Sequence, residues 1–281
     1  MSKIYKSFLF VPGNQRNKIE KSLSMHCDVV ILDLEDSVPI EEKEKARQIV
    51  NDSLKNMEWK NIKKCVRIND LNSKFWLQDI IEISKNEPDI IMIPKVKNSS
   101  DIIILDRILS NVENNFNLKK IQLIPIIETI EGLRNIYKIS RSSERILGIT
   151  FGIADFCAEL GCEEDERIVE YLRFKVILSA SYSNIQAIDT AYLNIKDVEG
   201  LEKEAKMAKK FGFTGKLAIH PSQIEIINKV FTPSAQEIEI ARKILEAYEE
   251  AKRKGIGVIS YEGKMVDEAI IKRARKILMY L

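Results

Sequence analysis

Eight short apolar runs, rich in valine and isoleucine, recur along the chain at residues 7–11, 29–32, 65–68, 90–93, 121–127, 146–151, 185–188 and 217–219. Each is almost unbroken in its apolarity, the pattern of a strand covered on both faces, as strands of a parallel sheet are. The stretches between them, such as 99–109 and 201–211, read as amphipathic helices. Eight strand–helix units over about 220 residues predict an α/β fold, a (β/α)8 TIM barrel. The alternative is an open doubly wound sheet, whose first turn is normally glycine-rich. No glycine-rich nucleotide-phosphate loop follows any run.

After the eighth run the pattern changes. Residues 235–254 read as a long helix rich in Glu, Lys and Ala, which Ser234 is placed to cap. Gly255, Ile256 and Gly257 interrupt it, 258–261 read as a short strand, Gly263 allows a turn, and 269–281 read as a last helix. The expected organisation is a barrel domain, 1–232, followed by a C-terminal helical extension, 233–281, serving as a lid or as an arm to a neighbouring subunit.

Composition narrows the chemistry. Lys and Arg number 44 against 42 Asp and Glu, which argues against a nucleic-acid surface, where affinity rests on uncompensated cations. No apolar run approaches the roughly 20 residues of a membrane span. The first residues show no signal-peptide pattern, and the four cysteines have neither disulfide-scaffold nor zinc spacing. A cytoplasmic protein is expected. With only His26 and His220 present, a three-histidine zinc site is impossible. Any metal would rest on carboxylates, which favour Mg²⁺ or Mn²⁺.

In a barrel the chemistry lies at the carboxyl ends of the strands. There the sequence places Pro12-Gly13-Asn14, the acidic turn with Asp33, Glu35 and Asp36, then Arg67 and Asn69, and Lys95. The remaining ends carry Glu128, Gly152 with Asp155, Asp189, and His220-Pro221. All eight ends are expected to converge on one mouth. Each feature also has a bland counterpart. The acidic turn and Asp155 could cap helices, Lys95 could form only an ion pair, and His220 could be structural. Residues 163–166 read as a solvated helix start, and Phe75-Trp76 as a packing pair. Glu128 is harder to dismiss, because a carboxylate abutting a buried strand needs a cation or donors to stay charged. Arg67 points opposite to Val66 and Ile68 on its strand, and an inward arginine must face an anion or a carboxylate. Glu128 and Asp155 would hold one hard divalent cation, leaving positions for the oxygens of a 2-oxo or 2-hydroxy carboxylate. Arg67 would stabilise charge developing on a carbonyl oxygen. This is equipment for making or breaking a carbon–carbon bond through an enolate.

The same strand ends carry a family resemblance. Leu9 to Asn14, Leu32 to Val38, Val66 to Asn69, Met92 to Val96, Ile127-Glu128-Thr129 and Phe151 to Phe156 resemble motifs of the citrate lyase beta-subunit family. Ala187 to Thr190, Ala218 to Gln223, Phe231 to Ser234 and Gly263 to Asp267 continue the likeness in order along nearly the whole chain. That family holds malyl-CoA, citramalyl-CoA and citryl-thioester lyases and belongs with the HpcH/HpaI aldolases. The resemblance implies a Mg²⁺-dependent carbon–carbon lyase that acts on an acyl-CoA thioester and a small 2-oxo acid, in a homo-oligomer, commonly a trimer. It implies Glu128 and Asp155 as metal ligands and Arg67 as a substrate contact, with Glu35, Asp36 and Lys95 beside the substrate. Phe10, Arg16 and Lys21 fall in the segment that resembles the CoA-contacting region. Asp267 matches an aspartate delivered from a neighbouring subunit as general base or acid. Two other readings stand beside this one. They are a citrate lyase beta subunit acting on a carrier-bound citryl thioester within a complex, and a catalytically inactive acyl-CoA-binding regulatory module.

Overall fold

A computed structural model describes residues 3–253, 259–261 and 264–280. In chain order the elements are β1 (Ser7–Pro12), α1 (Arg16–Ser22), β2 (Val29–Asp33), α2 (Lys43–Asn56), β3 (Lys63–Arg67), α3 (Trp76–Ser84), β4 (Ile90–Ile93) and α4 (Ser99–Phe116). Then come β5 (Gln122–Ile127), α5 (Ile130–Ile139), β6 (Gly148–Phe151), α6 (Ile153–Leu160), α7 (Glu166–Ser183), β7 (Gln186–Asp189), α8 (Val198–Phe211), β8 (Gly215–Ala218) and α9 (Ile224–Phe231). The eight strands are parallel and close in sequence order, β1 pairing with both β2 and β8. The barrel expected from the eight apolar runs is the one observed.

The strand side chains divide between two apolar layers. Phe8, Val29, Ile31, Cys65, Ile90, Met92, Ile124, Ile126, Ile188 and Leu217 fill the barrel. Leu9, Val11, Val30, Leu32, Val66, Ile91, Ile93, Leu123 and Ile127 pack outward under the helices. Alternate residues of one strand therefore serve different layers, and both layers are apolar. That is why the runs lack a polar side. The helix ends follow local chemistry. Asn98 and Asp101 form a capping box on α4, Thr129 caps α5 through the N–H of Gly132, and Asp165 caps α7. Residues 163–166 are thus a helix start, and Trp76 packs against the outer layer as expected.

Two compact units are distinguished, one of Tyr5–Phe231 and one in which the residues before Tyr5 group with those from Thr232 onward. In the second unit, α10 (Ala235–Arg253) packs against α11 (Glu268–Leu278), with Arg275 set 5.6 Å over the ring of Tyr248. Ser234 caps α10 as the sequence suggests, and Glu237 bonds back to it, which completes a capping box. A short antiparallel pair, β9 (Ile259–Tyr261) and β10 (Lys264–Val266), precedes α11. The expected Gly255–Gly257 interruption, the start of the strand at 258 and the Gly263 turn lie outside the described residues.

Candidate active site

Period-2 alternation aims three charged side chains into the barrel. Asp33, Arg67 and Glu128 each stand two residues beyond an interior residue, Ile31, Cys65 and Ile126 respectively, and so share its face. The β2–β3 register sets Asp33 directly beside Arg67. Arg67 Nε and Nη2 each donate to an Asp33 carboxylate oxygen at 2.7 Å, the paired geometry that suits a guanidinium to a carboxylate. Burial works to raise the Asp33 pKa, but Arg67 outweighs it and holds the group below the ordinary aspartate range. The same carboxylate accepts the N–H groups of Glu35 and Ser37 at 2.9 and 3.1 Å. The acidic turn is therefore not a solvated cap. Asp33 and Glu35 are buried, and only Asp36 is exposed.

Arg67 and Lys95 tie this turn to the rest of the mouth. Arg67 Nη1 lies 3.0 Å from Glu35 and 3.6 Å from Asp36, with the guanidinium 4.8 Å above the ring of Phe10. Lys95 Nζ stands 2.8 Å from Glu35, 3.7 Å from Asp36 and 3.8 Å from Asp155. Burial opposes the Lys95 charge, yet these carboxylates keep the ammonium above the ordinary lysine range. Behind the turn, buried Lys43 donates to the carbonyls of Leu34 and Glu35 at 2.7 and 2.6 Å. Nothing in the run Glu41-Glu42-Lys43-Glu44 distinguishes that lysine from a surface charge, so the sequence offers no signal for it.

Glu128 is the most unusual group. Its carboxylate is buried and accepts a hydrogen bond from the Lys95 backbone N–H at 2.7 Å. To aim that N–H, Lys95 adopts a left-handed conformation, φ +51°, a local strain of about 1–3 kcal/mol for a residue with a Cβ. The other oxygen rests on Gly152, where an added Cβ would stand 2.3 Å away. Among the described residues no cationic side chain pairs with Glu128. Burial, then the charges of Glu35 and Asp155, push its pKa up to about 8. Asp155 lies in the first turn of α6, whose N-cap is Gly152, so it does not cap the helix. Its side chain remains 41% exposed towards the same mouth.

The residues present fit a divalent cation. Asp33, Glu35, Asp36, Glu128 and Asp155, when ionised, exceed Arg67, Lys95 and Lys43 by a formal −2. Buried Glu35 Oε2 accepts no aligned hydrogen bond, although Arg67 Nη1 is near it. Among the described residues no group of three or more His, Cys, Asp or Glu side chains is arranged to hold a metal ion. A two-carboxylate site that leaves positions for water and substrate is characteristic of Mg²⁺.

Not every strand end reaches the mouth. Asp189 follows interior Ile188 by one residue and so points outward. There it is fully buried, bonded by Arg173 of α7 at 2.8 and 3.0 Å and by Lys216 at 2.7 Å. Asn69 turns to Asp79 of α3, donating through Nδ2 at 2.7 Å. His220 caps a short 3-10 turn, its Nδ1 accepting the Ser222 N–H at 3.2 Å, which is the structural role. Full convergence of the eight ends is thereby corrected. Arg67, Glu35, Asp36, Lys95, Glu128 and Asp155 come together, with Phe10 beneath Arg67. Arg16 instead pairs with Glu20 and Asp52 on the outer helices, and Lys21 is exposed on α1. Asp267 is exposed and caps α11, accepting the Ile270 N–H at 2.9 Å. No helix among the described residues is long and apolar enough to cross a membrane.

Comparison with known proteins points the same way. Residues 6–221 match the profile of the family described as HpcH/HpaI aldolase/citrate lyase. The citrate lyase subunit beta of Haemophilus influenzae is 35% identical over 280 residues, covering 98% of this chain and 96% of that one. The L-malyl-CoA/beta-methylmalyl-CoA lyase of Rhodobacter capsulatus is 33% identical, over 96% of this chain and 92% of that one. The crystal structure of protein CitE from Mycobacterium tuberculosis in complex with magnesium, acetoacetate and coenzyme A superposes with a TM-score of 0.76. It is 28% identical and covers 99% of this chain and 98% of its own.

Proposed function

Because this chain belongs to the HpcH/HpaI aldolase/citrate lyase family, we propose that it is a Mg²⁺-dependent carbon–carbon lyase. Its substrate is a 3-hydroxyacyl-CoA bearing a carboxylate, such as malyl-CoA or citramalyl-CoA, cleaved to acetyl-CoA and a 2-oxo acid or formed from them. The observation that carries this reading is Glu128, a buried carboxylate with no cationic partner among the described residues, facing Asp155. Glu128 and Asp155 would hold the Mg²⁺, which supplies Lewis-acid polarisation of a substrate oxygen.

The chain's own residues account for the rest. Two of the five guanidinium N–H groups of Arg67 are used on Asp33 and Nη1 lies beside Glu35, so the N–H groups that remain would serve a developing oxyanion. Asp33 and Phe10 hold that guanidinium in place, so no reorganisation is needed as charge develops. Lys95 orders Glu35 and Asp36 at the substrate end and orients Glu128 through its backbone N–H. Asp267, delivered by a neighbouring subunit of a homo-oligomer, takes the proton from the substrate hydroxyl. The carbon–carbon bond then breaks, its electron pair passing to the thioester fragment as an enolate whose oxygen faces Arg67. The family resemblance assigns Phe10, Arg16 and Lys21 to the CoA; Phe10 lies under Arg67, while Arg16, paired with Glu20 and Asp52, and exposed Lys21 would meet it from the outer helices.

The test is acetyl-CoA release from malyl-, citramalyl- and citryl-CoA with Mg²⁺, and no turnover of any of the three by folded protein refutes the proposal. A second reading, a beta subunit acting on a carrier-bound citryl thioester, is favoured by the likeness to the Haemophilus influenzae subunit. It expects turnover only with an acyl-carrier protein and partner subunits.

A further inference from the structure

Helix α6 ends in a turn whose two anchor positions are both cysteines. The N–H of Cys162 donates to the carbonyl of Cys157 at 3.1 Å, and the N–H of Gly161 to that of Ala158 at 3.3 Å. Gly161 is left-handed, φ +73°. These are the paired bonds of a Schellman motif, which folds the residue after the glycine back over the residue five positions earlier, ordinarily in an apolar contact. Here both of those positions are cysteines, so the turn sets one thiol-bearing residue against the other. Cys157 is buried, whereas Cys162 is exposed and lines an open cleft of about 650 Å³ with Phe156, Leu160, Ile168 and Tyr171. Cys27 and Cys65 are both buried elsewhere in the barrel unit, so this is the one pair that joins an exposed thiol to a buried one.

We propose that Cys157 and Cys162 form a reversible disulfide, a redox modification site that takes a neutral peroxide as its oxidant. The exposed Cys162 sulfur attacks the peroxide, its S–O bond forming as the O–O bond breaks, to give a sulfenic acid and, from hydrogen peroxide, water. Cys157 then attacks that sulfur, expelling a second water. Two thiols are oxidised by two electrons and one peroxide is reduced. Glu163, Glu164 and Asp165 follow directly on Cys162 and repel anionic disulfides such as oxidised glutathione, which favours an uncharged oxidant. The backbone hydrogen bond from Cys162 to Cys157 holds the two residues together before oxidation, so the second thiol is already beside the sulfenic acid when it forms. Because Asp155 rides on the same eight-residue helix, the bond braces the element that carries it.

The test is a mass measurement, independent of the lyase reading. Cleavage after Arg145 and Arg167 yields one peptide, residues 146–167, that contains both cysteines and no other. After hydrogen peroxide treatment of the folded protein, this peptide is expected to be two hydrogens lighter and to resist alkylation until dithiothreitol is added. In Cys157→Ser, Cys162 should stop at the sulfenic acid and be captured by dimedone. In Cys162→Ser, a change at an exposed position, Cys157 should remain fully alkylatable after the same dose. Wild-type protein in which Cys162 advances to sulfinic acid while Cys157 stays alkylatable would overturn the proposal. So would oxidation of Cys157 in Cys162→Ser at the wild-type rate.

Discussion

Replacing Gly152 by alanine tests the geometry of the candidate site at a single atom. The backbone there has φ −111° and ψ 110°, which any residue adopts, so alanine introduces no backbone strain. Its Cβ, however, would lie 2.3 Å from Glu128 Oε2 and 3.0 Å from Glu128 Cβ. Ordinary contact begins near 3.4 Å, so the carboxylate must retreat by about 1 Å in a tightly packed mouth. That movement stretches the 2.7 Å bond from the Lys95 N–H past hydrogen-bonding range, forfeiting about 1.5–3 kcal/mol of interaction with the charged form. A 1 Å misplacement at a reacting centre costs about 100-fold in rate, or about 2.7 kcal/mol. Global stability should fall by about 0.5–2.5 kcal/mol, because a more restricted unfolded chain recovers only about 0.4–1 kcal/mol of the loss. Titration calorimetry with Mg²⁺, the rate of acetyl-CoA release and the melting temperature separate these effects. Weakened metal binding and lost turnover in a protein that still folds, with a modestly lower melting temperature, is the expected result. Wild-type Mg²⁺ affinity and turnover would show that Glu128 does not work from the position described.

Glu128→Ala and Asp155→Ala should each abolish Mg²⁺-dependent activity without unfolding the barrel; either variant retaining wild-type activity and metal affinity leaves the ligand set. The outward cluster predicts an acid limit to stability. Burial works to raise the Asp189 pKa, but Lys216 and Arg173 outweigh it and hold the group below the ordinary range. A carboxyl depressed in the folded state contributes stability above its unfolded pKa of about 4 and loses it as pH falls towards the folded value. Urea midpoints should therefore drop from about pH 5 downward, and Asp189→Asn should flatten that slope while lowering the whole curve; an unchanged slope refutes the assignment. Mixing inactive Asp267→Asn subunits with inactive Arg67→Ala subunits tests the shared mouth. Activity should return in mixed oligomers, and asparagine preserves the cap on α11, so stability should hold. An active Asp267→Asn protein ends the catalytic role, and failure to complement in verified hetero-oligomers assigns the aspartate to its own barrel.

The barrel, and the strand ends where its mouth lies, are legible in the sequence. Strands buried on both faces write themselves as apolar runs, and the run spacing leaves room for one helix each. Where a polar residue ends such a run, as Arg67 and Glu128 do, the site is already legible. What the runs do not carry is parity. With apolar layers inside and outside the barrel, Ile188 and Ile127 look alike, yet one faces the interior and the other the helices. That parity alone sends Asp189 outward to Arg173 and Glu128 inward to Asp155. Lys43 under the acidic turn, the left-handed Lys95 and the bare face of Gly152 were likewise decided only in three dimensions. Each depends on atoms brought together from strands and helices distant in the chain, and close approach between such atoms leaves no local periodicity to read.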